Sequence, residues 1–272
     1  MHSIATFLRH AVFTSVVLLS TQILQAVEAI PTPVISAPAL DAEHRTWAGI
    51  LGQVVRPDGV DYAAVQRLQP ELDLYRVQLA HAVEPIVPAE RMAFFINAYN
   101  ALTLQLVASK LPADTKIWPD WSITVIGPPP GIAWKGFSFM VAGVPRTLDE
   151  IENSVLRPLG EPRIHFAINC ASRSCPALAA QPYRAATITA QLASAASAFA
   201  NDPSQLRLAA GHLRVNPILD WFADDFTASG NVRTFLKSVV TEPGPLATHL
   251  AGTDPLQFFI YDWRLNLAKS AP

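Results

Sequence analysis

An α+β fold, with a helical N-terminal half packed on a small, mainly antiparallel sheet, is what this sequence predicts, because its helical signals lead and its strand signals follow, short and unevenly spaced. Three observations carry that expectation. Apolar residues recur at helical spacing through residues 40–55, 72–82 and, most strongly, 89–109. Short alternating or β-branched runs follow at 137–141, 164–168, 213–215 and 256–261. Half of the 272 residues are apolar, enough to bury a substantial core.

Taken in chain order, the first segment has the pattern of a signal peptide. Arg9, flanked by His2 and His10, precedes an apolar run over 11–19, and the small residues around Val27 and Ala29 place cleavage after Ala29, giving a signal peptide over 1–29. The run is short for a membrane span, so no stable anchor is expected after cleavage and the mature protein is expected to be periplasmic or secreted. A retained anchor is the alternative. Residues 30–39 hold Pro31, Pro33 and Pro38 among small residues and read as a stiff proline-rich tether. One domain is then expected over 40–272. Its predicted helices continue at 147–156, 187–200 and 231–239, the alanine-rich stretch before residue 200 reading as a close-packed helix. The 23 prolines against 12 glycines suggest several rigid loops.

Composition excludes one class of partner. Charged residues make up 15% of the chain and the formal net charge is -2, so no broad basic surface is available and nucleic acid is not an expected partner.

Chemistry concentrates in residues 163–176. A buried-strand pattern carrying His165 ends at Asn169 and runs into a polar turn that holds both cysteines of the protein, Cys170 and Cys175, with Arg173 between them. Three interpretations compete. In an oxidising compartment the two thiols would bridge and pin the turn. Alternatively one is a nucleophile served by His165, with Arg173 favouring the thiolate. As a strand, His165 and Asn169 share one face and Cys170 the other, so Cys170 meets His165 only if the chain turns sharply at Asn169. Cys175 escapes that constraint, although Pro176 holds its backbone away from helical values. The third interpretation, a metal site of His165, Cys170 and Cys175, lacks a fourth ligand and matches no common zinc spacing, so neither metal nor cofactor is expected.

A second polar cluster lies in the long apolar helix. Asn97 and Asn100 are three residues apart on one face and must be hydrogen-bonded to something definite when buried. They either tie the helix to loop backbone or orient His165 and stabilise an oxyanion. Asp149, Glu150 and Glu152 read as helix-start carboxylates. Asp220, Asp224 and Asp225 alternate with Trp221, Phe222 and Phe226 and read as a solvated helix face beside a core face.

Segments 93–104, 147–157, 162–176, 216–226 and 261–266 together resemble the domain of unknown function 547 family, in its exported bacterial form. Phe95 stands where tryptophan is expected and Ala171 where glycine is expected. The resemblance implies a single α+β domain, distantly similar to the papain and transglutaminase architecture, except that the helix where the nucleophile would open carries asparagines instead. The leading expectation is a thiol-dependent hydrolase or acyl transferase acting on an envelope amide or ester, within a small molecule, a peptide or another envelope substrate. In it Cys170 or Cys175 attacks, His165 moves the proton, and Asn97 or Asn100 assists. The alternative is a non-catalytic envelope binding module shaped by a Cys170–Cys175 disulfide.

Overall fold

The computed structural model describes residues 27–127, 129, 131–241 and 244–269. The chain opens on a two-residue strand, β1 (Glu28–Ala29), followed by α1 (Arg45–Val54), the hairpin β2 (Val55–Arg56) and β3 (Gly59–Val60), α2 (Tyr62–Arg67), α3 (Gln69–His81) and α4 (Pro88–Lys110). The helix α4 is the axis of the domain. Every residue from 93 to 108 along it is buried, so it is surrounded on all sides rather than amphipathic. Pro88 pre-sets the first turn, and the helix stops at Leu111, whose extended backbone is the one required before Pro112. Helices α1–α3 pack along it, with Trp47 stacked on Tyr75 at 5.7 Å.

Beyond α4 come the hairpin β4 (Phe137–Val141) and β5 (Val144–Thr147), the short α5 (Leu148–Glu150), α6 (Ile188–Ala200), the hairpin β6 (Leu206–Ala209) and β7 (His212–Val215), α7 (Ile218–Trp221), α8 (Val232–Val239), α9 (Pro245–Ala251) and β8 (Gln257–Phe258). The expected α+β class is therefore found, but the strands divide, among the described residues, into three small sheets: β1-β4-β5, β2-β3 and β6-β7-β8. All three hairpins are antiparallel, and β1 and β8 add parallel edges. Two of the hairpins turn on an Ala-Gly pair, Ala142-Gly143 and Ala210-Gly211, with φ positive at both residues, the twist that matches two right-handed strands.

One predicted strand is absent. Residues 164–168 fall in a 3-10 turn, Pro162–Phe166, opened by Pro162 and by the Glu161 carboxylate, which accepts the amide of Arg163 and grips its guanidinium. The alternation of Ile164, Phe166 and Ile168 arises because the segment runs between two cores. Ile164 and Ile168 enter the large core around α4, and Phe166 enters a second one built from α6, β6, β7 and α8.

The expected tether also differs. Residues 30–38 lie against the domain: the Ile30 amide donates to Ser138, Arg76 donates to the Pro31 carbonyl at 2.6 Å, and Gln78 donates to that of Pro38. The signal segment lies outside the described residues up to 26, and the expected cleavage point at Ala29 falls on β1, whose two residues are exposed. Among the described residues no helix is long and apolar enough to cross a membrane.

Candidate functional site

The turn after His165 is built by asparagines. Asn100, from α4, donates to the Ala167 carbonyl at 2.9 Å and accepts the Asn169 amide at 2.8 Å. Asn169 in turn donates to the Pro176 carbonyl and accepts the Ala171 amide, closing the loop that contains both cysteines. Ala171 sits at φ +63, the left-handed region that favours glycine, which explains why glycine is the expected residue there. Residues 262–266 complete the frame: the Arg173 and Ser174 amides donate to the carbonyls of Arg264 and Asp262, and the Asn266 amide donates to that of Ala171.

This frame puts Cys170 on the wall of a cavity of about 210 Å³ together with Glu152, His165, Tyr261 and the rings of Tyr99, Trp134, Trp221, Phe222 and Trp263. Its volume is below the ~300–1,000 Å³ usual for drug-sized ligands, so it admits a side chain or short acyl group rather than a whole substrate. A larger groove, about 920 Å³, opens between residues 35–42 and helices α3 and α4, but it contains neither thiol. Chemistry rather than size selects the smaller cavity.

Glu152 reaches the cavity because the helix begun by α5 widens into a π-helical stretch, Ile151–Leu156, a distortion frequent at functional sites. Its carboxyl is pushed up to about 7 by burial and by the neighbouring Cys170 thiolate. Tyr99 donates a long hydrogen bond to it at 3.4 Å, and the His165 Nδ1 lies 3.9 Å away, beyond a hydrogen bond. The His165 ring is buried, stacked on Phe222 at 3.9 Å, and its Nε2 meets Asp225 Oδ2 at 2.7 Å. Arg157 holds the same carboxylate through two hydrogen bonds of 2.7 and 2.8 Å and so keeps Asp225 below the usual carboxylate range. Burial lowers His165 to about 4, so the imidazole is neutral at pH 7. With Asp225 ionised, the ring proton sits on Nε2, and Nδ1 is a buried lone pair with no hydrogen-bond partner among the described residues.

Cys170 is surrounded by donors. Its sulfur lies 3.0 Å from the Ser172 hydroxyl and 3.3 Å from that of Tyr261, and the two hydroxyl oxygens lie 3.0 Å apart. A hydrogen bond from the Cys175 thiol, then those from Ser172 and Tyr261, lower Cys170 to about 6 against the opposing effect of burial. Cys175 is the reverse case: buried, with its sulfur accepting the Cys170 amide at 2.9 Å and its thiol pushed up by that burial.

Several sequence expectations are thereby corrected. The cysteines are free thiols and form no disulfide. Cys175 is too deeply buried and too weakly acidic to be the attacking group. Neither sulfur is hydrogen-bonded to His165, whose ring faces Asp225 on one side and Glu152 on the other. Asn97 and Asn100 neither orient the imidazole nor point at a reacting centre. Asn97 is bonded in both directions to the Tyr183 backbone, at 2.7 and 2.9 Å, and Asn100 to the turn. Arg173 points outward to the Pro119 carbonyl, so hydroxyls, not a guanidinium, stabilise the thiolate. Glu152 and Asp225, read from sequence as a helix-start carboxylate and a solvated acid, are the groups that face His165. The contact of Asp225 with Arg157 spans 68 positions and left no local signal.

The fold and cavity define an α+β protein with an acidic thiol, a buried carboxyl and a carboxylate-held imidazole in one pocket. Residues 84–200 match the family described as protein of unknown function, DUF547. The match contains Asn97, Asn100, Glu152, His165 and both cysteines, while Asp225 and Tyr261 lie beyond it. No curated protein and no solved structure matches the chain.

Proposed function

We propose that the protein is a thiol-dependent hydrolase or acyl transferase in which Cys170 is the nucleophile and Glu152 the proton carrier. The observation that carries this reading is the Cys170 sulfur, lowered to about 6 and supported by two hydroxyls on a cavity wall that also presents Glu152. A thiolate needs no base to deprotonate it and attacks a carbonyl carbon directly. Glu152, still protonated below about 7, supplies the proton for the departing amine or alcohol. As a carboxylate it then takes the proton of the water or acceptor that releases the acyl group. His165, fixed by Asp225, backs Glu152 and limits the orientations of its carboxyl. The N-terminal sequence over 2–29 supports action outside the cytoplasm, on an envelope amide or ester.

The test is incubation with a panel of p-nitrophenyl esters and aryl amides, followed by intact mass and peptide mapping. Acyl label on Cys170, lost in Cys170→Ser, supports the reading; label on other residues, or none with any ester, overturns it. The pH profile of acylation should be bell-shaped, rising through about 6 as the thiol ionises and falling through about 7 as Glu152 loses its proton. These limbs belong to the interacting pair rather than to either group alone.

A further inference from the structure

Two thiols of opposite character share one short turn, and the hydrolytic reading uses only one of them. Cys175 is buried, and its sulfur lies 2.9 Å from the Cys170 amide nitrogen. Adding the N–Cα bond of about 1.46 Å puts that sulfur at most about 4.4 Å from the Cys170 Cα, within the reach of a disulfide through side-chain rotation alone. The loop between them is held at both ends by Asn169, so the pair stays together whatever the oxidation state of the sulfurs. Both cysteines line the cavity, but Cys170 is half-buried and Cys175 buried, so a small oxidant reaches the Cys170 sulfur first.

We propose that Cys170 and Cys175 form a reversible redox couple, in which a hydroperoxide oxidises Cys170 and Cys175 resolves the product to an intramolecular disulfide. The Cys170 thiolate attacks the distal oxygen of the hydroperoxide. The O–O bond breaks, the remaining oxygen leaves as alkoxide and takes up a proton to become an alcohol or water, and Cys170 becomes a sulfenic acid. The Cys175 sulfur then attacks the Cys170 sulfur, forming the S–S bond, while the sulfenic oxygen leaves as water with the Cys175 proton. A dithiol reductant returns the pair through a mixed disulfide and is itself oxidised. Where the hydrolytic reading also holds, the couple is an off-switch for its nucleophile; the redox chemistry itself does not depend on that reading.

The experiment treats the purified full chain with one equivalent of hydrogen peroxide and follows intact mass, free thiols and linked peptides, with no substrate present. The expected result is loss of both free thiols, a mass lower by two hydrogens, a single Cys170–Cys175 linked peptide, and full recovery with dithiothreitol. Cys175→Ser should instead stop at a sulfenic acid on Cys170 that a dimedone probe traps, and Cys170→Ser should leave Cys175 unmodified. Over-oxidation of Cys170 in the unsubstituted protein with Cys175 still free, or modification of Cys175 ahead of Cys170, overturns the proposal. Acylation by p-nitrophenyl esters reports separately on hydrolysis, so disulfide formation without acylation leaves the couple standing and rejects only the hydrolytic reading.

Discussion

The asparagines of α4 and the imidazole of the cavity wall are alike hidden from solvent, yet they do opposite things with their polar atoms. Asn97 and Asn100 each donate to one backbone carbonyl and accept one backbone amide, so both polar atoms of each side chain already have a backbone partner. The buried His165 and the half-buried Glu152 and Cys170 have capacity left over: an unpartnered Nδ1, a carboxyl held only by a long hydrogen bond, and a sulfur beside two hydroxyls. Burial and polarity alone therefore do not mark a site here. What separates these two sets is whether each polar atom already has a backbone partner that fixes it.

The contrast is sharpest under substitution. Glu152→Gln keeps the shape of the wall but cannot exchange a proton, and ester turnover should fall by about 10²–10⁴-fold while the fold is retained, a cost typical of losing a general acid or base. Steady-state kinetics beside a denaturation curve checks both halves. Asn100→Ala should do the reverse. It leaves the Ala167 carbonyl and the Asn169 amide without partners, at roughly 1–3 kcal/mol each, so a urea titration should show a loss of about 2–6 kcal/mol. If that variant stays as stable as the parent, the clamp is not what holds the turn and the comparison breaks.

Glu152 also adds its own component to the pH dependence of stability. Glu152 ionises near 4.5 when unfolded but near 7 when folded. At this group the unfolded chain holds fewer protons above 4.5, so Glu152 contributes a decline on the order of 3 kcal/mol between about 4.5 and about 7, opposed by the rise that His165 and His44, both lowered to about 4, contribute over much of the same range. Glu152→Gln should remove that decline, so the denaturation midpoint of the variant should rise relative to that of the parent as pH increases from about 4.5 to about 7. The smallest effect belongs to Ala171→Gly, which relieves the left-handed backbone at φ +63 and should stabilise the turn by up to about 1 kcal/mol in the same assay, with the reactivity of Cys170 unchanged.

Long elements are legible in the sequence alone. The helix over 88–110 is predicted within a residue or so because sixteen consecutive buried positions need no partner to be recognised as helical, and both ends are marked by prolines. The hairpin strand at 137–141 is found as expected, since its alternation matches its burial. The segment over 164–168 is the failure. Its period-two pattern is real, but it reflects two cores on opposite sides of a tight turn rather than two faces of a sheet. A periodicity reports which side a residue faces, not what lies there.

The sequence by itself determined the α+β class, the central helix, the family resemblance and the concentration of chemistry around His165, Cys170 and Cys175, because these rest on local patterns and on residues close together in the chain. Only the tertiary structure decided which groups meet. It placed Asp225 on His165 across 60 positions and Tyr261 on Cys170 across 91, and turned Glu152 inward on a π-helical stretch. It also assigned the asparagines to backbone. A hydrogen bond depends on distance in space, and pairs so far apart along the chain leave no spacing from which that distance can be read.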